Sequence, residues 1–246
     1  MRAITRALLL ASGSGTRLRG VVGLVKLLAY VGRMRLICYP LASLAVAGVS
    51  EAFLVTPRHR LDTILAAARD CPLRPPEIVG VESWRWWRGS GYTLLDGLEQ
   101  VGAYPIIVSV SDHIYHPGIA ERSASGCARP FCVAGDAEAS LVDIGEATRI
   151  LAVGDRVVAI GKGLSNYTHI DVGVHTLNAP PRTGSGAAST MSLNDLKMAS
   201  AEAGLLGLVD VTGYPWIDVD TPEDLERARR GPARGLVEML DRIARG

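Results

Sequence analysis

Between residues 6 and 111 short apolar runs alternate with segments of helical period. RALLLA (6–11), AFLVT (52–56), EIVGV (77–81) and PIIVSVS (105–111) read as strands. YPLASLAVAGV (39–49), RLDTILAAAR (60–69) and GYTLLDGLEQV (91–101) read as helices. Parallel strands cannot be joined by a hairpin and need a crossover, so this order predicts βαβ units. The fold expected is α/β, Rossmann-like and three-layered, with a mainly parallel mixed sheet.

After about residue 125 the pattern changes. PFCVAG, TRILAVGDRVVAIG and HIDVGVHTL read as strands without helices between them, with a hairpin turn at Gly154–Asp155. A helix follows over 192–204, opened by Ser192 and closed by Gly204. LGLVDV reads as a strand. TPEDLERARR reads as a helix with Thr221 as N-cap, Pro222 at its first position and acids in its first turn. ARGLVEMLDRIAR closes the chain as an amphipathic helix. The Gly/Ser/Thr/Pro-rich stretch 180–190 is a loop placed to act as a lid.

At 246 residues the chain fits one domain, 1–246, and 48 % apolar residues exclude a disordered one. A formal net charge of +1 excludes a strong field for nucleic acid or an anionic membrane. ALLLA is too short for a signal-peptide core, and 36–49 is too short to span a bilayer and contains Pro40 and Gly48. The expectation is a soluble, cytoplasmic protein. Cys38, Cys71, Cys127 and Cys132 form no C-x-x-C and no zinc spacing, and are expected as buried thiols in a reducing cytosol. Lys+Arg is 26, yet Lys26, Lys162 and Lys197 are the only lysines. That bias fits a GC-rich genome as well as a physical need and carries no functional reading alone.

The first strand runs into ALLLASGSGTRLRGVVGLVKLL (7–28). Gly13 and Gly15 let the backbone approach a ligand, and successive N–H groups in such a turn form an anion nest. The dinucleotide fingerprint fails because Leu18 stands where its third glycine belongs, and the P-loop fails because no G-K-[ST] follows. What does fit is the opening of the nucleotidyltransferases that activate sugar and polyol phosphates, L-A-x-G-x-G-T-R-[LM] followed by a lysine. Ala11, Gly13, Gly15, Thr16, Arg17 and Leu18 match it, while Val25 and Leu27 flank Lys26 where that family has prolines.

A triphosphate brings about four negative charges, and displacement at its α-phosphorus builds charge on the leaving pyrophosphate. The resemblance therefore implies a nucleotide held by Ala11, Ser12, Gly13, Ser14, Gly15 and Thr16. Arg17 would sit on the β- and γ-phosphates and Lys26 on the α-phosphate, these two as the catalytic cations.

Asp112 follows a buried strand, at the carboxyl end where α/β folds bind ligands. Asp218 and Asp220 share one face of an extended segment in GYPWIDVDTPEDL. Close carboxylates repel unless a cation joins them, and hard oxygen ligands suit Mg²⁺. The family has a magnesium-binding aspartate at the first position, often as G-D-H, where this chain has Ser111. The metal set expected is Asp112 and Asp220, with Asp218 in contention. His113 and His116 suit Mg²⁺ poorly and are expected to be structural or to meet a substrate hydroxyl.

RGSGYTLLDGL resembles the G-N-G-Y-S-L-L segment of archaeal inositol-1-phosphate cytidylyltransferases, which implies that Ser90 and Gly91 lie against the base, Ser90 replacing an asparagine. RVVAIGKGLSNYTHIDVGVHTL resembles a second segment of theirs, which implies that Lys162 holds the acceptor phosphate and Asp171 an acceptor hydroxyl. SLNDLKMASAEAGLLGLVDVTGYPWIDVDTPEDLERAR matches their closing segment, and the resemblance covers roughly 4–230. It implies a nucleotidyltransferase fold that takes CTP and 1L-myo-inositol 1-phosphate, as the polyol phosphate, to CDP-inositol and pyrophosphate for di-myo-inositol phosphate synthesis. Bifunctional relatives carry a membrane-embedded transferase after this domain, so the expected partner is a separate membrane CDP-alcohol phosphotransferase. Another sugar-1-phosphate nucleotidyltransferase using UTP, GTP or dTTP, a D-x-D glycosyltransferase and a non-catalytic nucleotide sensor stay open. So do the oligomeric state and the role of Trp84, Trp86 and Trp87, which cannot all face one side of a strand.

Overall fold

The computed structural model describes residues 4–13, 15, 25–184 and 189–245. Its first half is laid down as four strands, β1 (Arg6–Leu10), β2 (Glu51–Thr56), β3 (Glu77–Glu82) and β4 (Ile106–Val110). Between them run α1 (Cys38–Val46), α2 (Arg58–Arg69) and α3 (Ser90–Val101). These strands pair in parallel in the order β3-β2-β1-β4. The second half supplies β5 (His113–Tyr115), α4 (Pro117–Gly126), β6 (Phe131–Asp136), β7 (Arg149–Val153), β8 (Arg156–Gly161) and β9 (His169–Leu177). It ends with α5 (Leu193–Glu202), β10 (Leu206–Asp210), β11 (Trp216–Asp218), α6 (Pro222–Arg230) and α7 (Arg234–Ile243).

The main sheet continues from β4 as β9-β6-β10-β8-β7. Here the expected parallel bias gives way. Every pairing of β9 is antiparallel, and β7 and β8 form the hairpin turning at Gly154–Asp155. The mixture arises where strands follow one another without a helix to serve as crossover. Two layers of helix cover the sheet, as its alternating side chains dictate. Ala7 and Leu9 of β1 join Leu41, Ile64, Ile119, Leu225 and Leu240 in one core. Leu8 and Leu10 face Leu94, Leu98 and Leu196 in the other.

Helix α4 is an element not expected from sequence. His116 caps it, its Nδ1 accepting from Gly118 N at 3.0 Å, with Pro117 in the first turn. That gives His116 the structural role expected of it. Strands β5 and β11 pair with each other as a separate ribbon in which Asp218 lies directly opposite His113.

The cysteine expectation is overturned. Cys38 is bonded to Cys71 and Cys127 to Cys132, and no free thiol remains. All four side chains are buried, as expected, but as disulfides. The Cys38–Cys71 bond ties the start of α1 to the end of α2 across 33 residues. Closing a loop of that length contributes about 3–4 kcal/mol in the chain-entropy account. Reduction, or the Cys38→Ser/Cys71→Ser pair, should lower the urea-unfolding free energy by about that amount. Unchanged stability together with free thiols in the unreduced, denatured protein would overturn the pairing.

Candidate functional site

Strand β1 ends at Leu10, and the chain then enters the glycine-rich loop. Ala11 N donates to Val55 O at 2.8 Å, Thr56 Oγ1 donates to Ala11 O at 3.0 Å, and Thr93 Oγ1 donates to Ser12 Oγ at 2.8 Å. Arg60 holds Gly13 O at 2.9 Å. Gly15 has φ +60°, and a Cβ on it would lie 2.8 Å from Lys26 Cβ. Only glycine lets the loop fold back so closely on that lysine. Ser14, Thr16 and Arg17 lie outside the described residues, so their expected roles are not placed by the structure.

Lys26 opens a short 3₁₀ turn, Lys26–Leu28, and its side chain is buried. Its Nζ lies 2.9 Å from Asp112 Oδ2 and is bonded to Asp220 Oδ1. Burial works against the ammonium, but the carboxylates of Asp112, Asp220 and Asp218 outweigh it and raise its pKa above the ordinary value. Burial likewise disfavours the Asp112 carboxylate, yet Lys26 and His113 hold its pKa below the usual range. His113 Nδ1–H donates to Val172 O at 2.7 Å, and its Nε2 lies 3.5 Å from Asp218 Oδ1. Burial pulls its pKa down, but Asp218 and then Asp112 push it up to about 9. Trp216 stacks on the ring at 5.6 Å and donates its Nε1–H to Asp136 at 2.8 Å. Gly173, at φ +79°, admits the ring, since a Cβ there would meet His113 Nδ1 at 2.9 Å.

The three expected metal carboxylates therefore stand around one lysine. Donor atoms of Asp112, His113 and Asp218 lie within 4.8 Å of one another, and Asp218 Oδ1 is buried without a hydrogen-bond partner. That donor set, carboxylate oxygens with one imidazole beside them, fits a hard divalent cation held mainly by the aspartates.

Beside this cluster opens a cavity of about 470 Å³. His113, Asp218 and Asp220 form its inner wall, and the expected acceptor residues Lys162 and Asp171 also line it. Lys162 is exposed and lies 3.7 Å from Glu146. Asp171 is buried, accepting from Gly173 N at 2.9 Å and from Lys197 Nζ. Burial disfavours its charge, but Lys197 and then His175 lower its pKa. Ser90 lines the cavity too, with its Oγ accepting from Leu193 N at 2.9 Å, while Gly91 N donates to Met191 O at 3.0 Å. These contacts dock the start of α3 on the start of α5. None of Trp84, Trp86 and Trp87 lines the cavity. Trp86 packs on His59 at 5.4 Å, while Trp84 and Trp87 are exposed.

Residues 7–142 match the sequence profile of the MobA-like NTP transferase domain. The chain belongs to that family. A protein of Rubrobacter xylanophilus named "Bifunctional IPC transferase and DIPP synthase" is 34 % identical over 224 residues, covering 89 % of this chain and 50 % of its own length. One of the same name from Archaeoglobus fulgidus is 32 % identical over 236 residues, covering 96 % and 45 %. This NTP transferase thus spans about half the length of the curated relatives it matches. The solved inositol-1-phosphate CTP transferase from T. maritima shares the fold at a TM-score of 0.85, with 23 % identity over 100 % of this chain and 98 % of that one.

Lys197, His175 and Asn194 line the cavity of this NTP transferase and were not singled out from sequence. His175 is fully buried, and neither ring nitrogen has a hydrogen-bond partner. Burial is the main cause that lowers its pKa, to about 4 against the ordinary 6.5, with Asp171 opposing and Lys197 and His113 assisting. Between those values the unfolded chain binds the proton and the folded one does not. His175 therefore costs stability as pH falls from 6.5 to 4, reaching about 3 kcal/mol below that. His175→Gln should lose that part of the acid sensitivity, seen as a smaller drop in unfolding free energy between pH 7 and 4. Identical pH profiles for the two proteins would refute it.

Proposed function

We propose that the chain transfers a cytidylyl group from CTP to 1L-myo-inositol 1-phosphate, giving CDP-inositol and pyrophosphate for di-myo-inositol phosphate synthesis. The observation that carries the reading is the meeting of two ligand regions at one charged cluster. Gly15 of the glycine-rich loop packs on Lys26, and Asp218 and Asp220 line the cavity. A nucleotide on the loop and an acceptor in the cavity would face each other across Lys26, Asp112 and Asp220. The solved neighbour named as an inositol-1-phosphate CTP transferase and the curated relatives named as IPC transferases support this reading, and we assign that activity to the half of those relatives this chain matches.

An acceptor phosphate oxygen attacks the α-phosphorus of CTP. One P–O bond forms, the bond from the α-phosphorus to the bridging oxygen breaks, and pyrophosphate leaves with the electron pair. The attacking phosphate is already anionic, so no protein nucleophile or base is needed. Lys26 would neutralise the α-phosphate as charge builds, and Arg17 and the loop amides from Ser14 to Thr16 would hold the β- and γ-phosphates. Asp112, with Asp220 and Asp218, would hold Mg²⁺, which when bound supplies charge neutralisation across the nucleotide oxygens. His113, pressed between Trp216 and Asp218, keeps the Asp218 carboxylate oriented. Lys162 sits at the cavity for the acceptor phosphate and Asp171 for a hydroxyl. Ser90 and Gly91 form the turn against which the base packs.

Among the described residues no helix is long and apolar enough to cross a membrane. We place the enzyme in the cytoplasm, where CTP is made and used. Burial shields its two disulfides from the thiols of that compartment. A membrane CDP-alcohol phosphotransferase would consume the product.

The test is pyrophosphate release with Mg²⁺ across four nucleoside triphosphates and a set of acceptors, inositol 1-phosphate and hexose 1-phosphates among them. Turnover of CTP with inositol 1-phosphate is expected. A preference for UTP, GTP or dTTP with a hexose 1-phosphate would overturn the substrates while keeping the chemistry. Lys26→Ala and Asp112→Ala should each cost about two orders of magnitude or more in rate while remaining folded. An active, folded Asp112→Ala would sink the metal assignment.

A further inference from the structure

The cavity wall formed by β9 and α5 carries buried polar groups of which the proposed transfer uses only Asp171. Lys197 enters from α5 and is buried, with its Nζ bonded to Asp171 Oδ2. Asp171 is its one partner among the described residues, so an ammonium with three donors has two left. His175, fully buried on β9, stands 3.8 Å from Asp171 Oδ1 with both ring nitrogens unpartnered. Asn194, one turn before Lys197, reaches Thr148 Oγ1 at 3.1 Å on the facing loop.

A buried ion pair is a poor stabiliser, because desolvation offsets its attraction. Filling the same volume with apolar side chains would hold the fold as well, so the pair calls for another reason to be there. The choice of cation points the same way. The chain has 23 arginines and three lysines, and all three lysines stand at this site. Lys26 lies in the carboxylate cluster, while Lys162 and Lys197 line the cavity. Among the cavity's lining residues arginine contributes only Arg227, which pairs with Asp224. A compact ammonium offers a point donor beside a carboxylate, where a guanidinium would pair with both carboxylate oxygens and occupy them.

We propose that Lys197 is a specificity-determining residue for the acceptor: with Asp171 it forms a donor–acceptor pair that reads two neighbouring hydroxyls of a polyhydroxylated ring. One hydroxyl oxygen accepts from Lys197 Nζ and the adjacent hydroxyl donates to Asp171. Such a pair selects vicinal diols and rejects rings lacking either hydroxyl, because the loss leaves a buried donor or acceptor without its partner. The inference rests on the acceptor occupying the cavity, as in the proposed function.

The test crosses Lys197→Met with a series of monodeoxy analogues of whichever acceptor the wild-type panel selects. Lys197→Met should raise the KM for the parent acceptor at least about tenfold and leave the KM for the nucleotide unchanged. One deoxy analogue should be as poor with the wild type as with the variant, since the hydroxyl and its donor are lost only once. The double variant Asp171→Asn/Lys197→Met removes both charges together and guards against a single variant that cannot fold. A lower melting temperature with unchanged acceptor KM in either variant would make the pair purely structural and overturn the proposal. So would an equal loss across every analogue. Wild-type protein that turns over no phosphorylated acceptor would instead bring down the proposed function, and this inference with it.

Discussion

Lys26 is the point on which the site closes. Its ammonium is buried and meets Asp112 and Asp220, the latter 194 residues away in the chain. A buried ammonium without carboxylates would lose its proton or pull water in, and the three aspartates without it would repel one another. Each charge makes the others tolerable, so the loop after β1, the end of β4 and the end of β11 are drawn to one place. The β5–β11 ribbon sets this geometry directly. Its register puts Asp218 opposite His113, and Val219 N donating to Asp112 O at 3.2 Å continues the pairing beyond the ribbon's end.

Around that cluster the molecule separates its two expected ligands by chemistry. On the loop side stand Gly13 and Gly15, which suit phosphate oxygens because they let a ligand approach closely and carry no bulk. The cavity side presents paired ionic and amide side chains, which suit hydroxyls because each can be matched by a donor or an acceptor. In the proposed reaction the boundary is Lys26 with its carboxylates, where phosphate would meet phosphate. An in-line displacement needs that arrangement, with entering and leaving oxygens on opposite sides of one phosphorus.

Much of this was legible in the residues. The strands of the first half, the Gly154–Asp155 hairpin and the caps Ser192 and Thr221 follow from apolar period and turn chemistry, and the structure carries both caps as capping boxes. Asp112 was legible from its place after a strand and Asp218 and Asp220 from their shared face, Lys26 from the resemblance to the sugar-phosphate nucleotidyltransferases, and their meeting is what the structure adds. The disulfides were not legible, since Cys38 and Cys71 meet only because α1 and α2 pack with their ends adjacent, and no local spacing records that. Lys197 and His175 escaped for a related reason. Each sits inside a regular element, where a polar residue on the wrong face looks the same in sequence whether it meets solvent or a cavity. The scarcity of lysine was the one available signal, and it gains meaning only once all three side chains are seen at one site.

The two closing helices, of which only α7 lies outside the resemblance, also bear on the reaction. Helix α6 begins immediately after Asp220 and is capped by Thr221 and Asp224. From its last turn Arg229 donates to Tyr30 O, and from α7 the buried Asp241 accepts from Arg33 N and from Tyr39 Oη, each at 3.0 Å. Tyr30 and Arg33 belong to the tight hairpin that follows the Lys26 turn, and Tyr39 begins α1. The same two helices therefore fix the carboxylate at one end of the Lys26–Asp220 bond and the backbone behind the ammonium at the other. A lysine side chain has four rotatable bonds to lose, and anchoring both its own backbone and its partner reduces the number of ways that bond can be missed. The cluster is held from behind by helix packing as much as by its own charge.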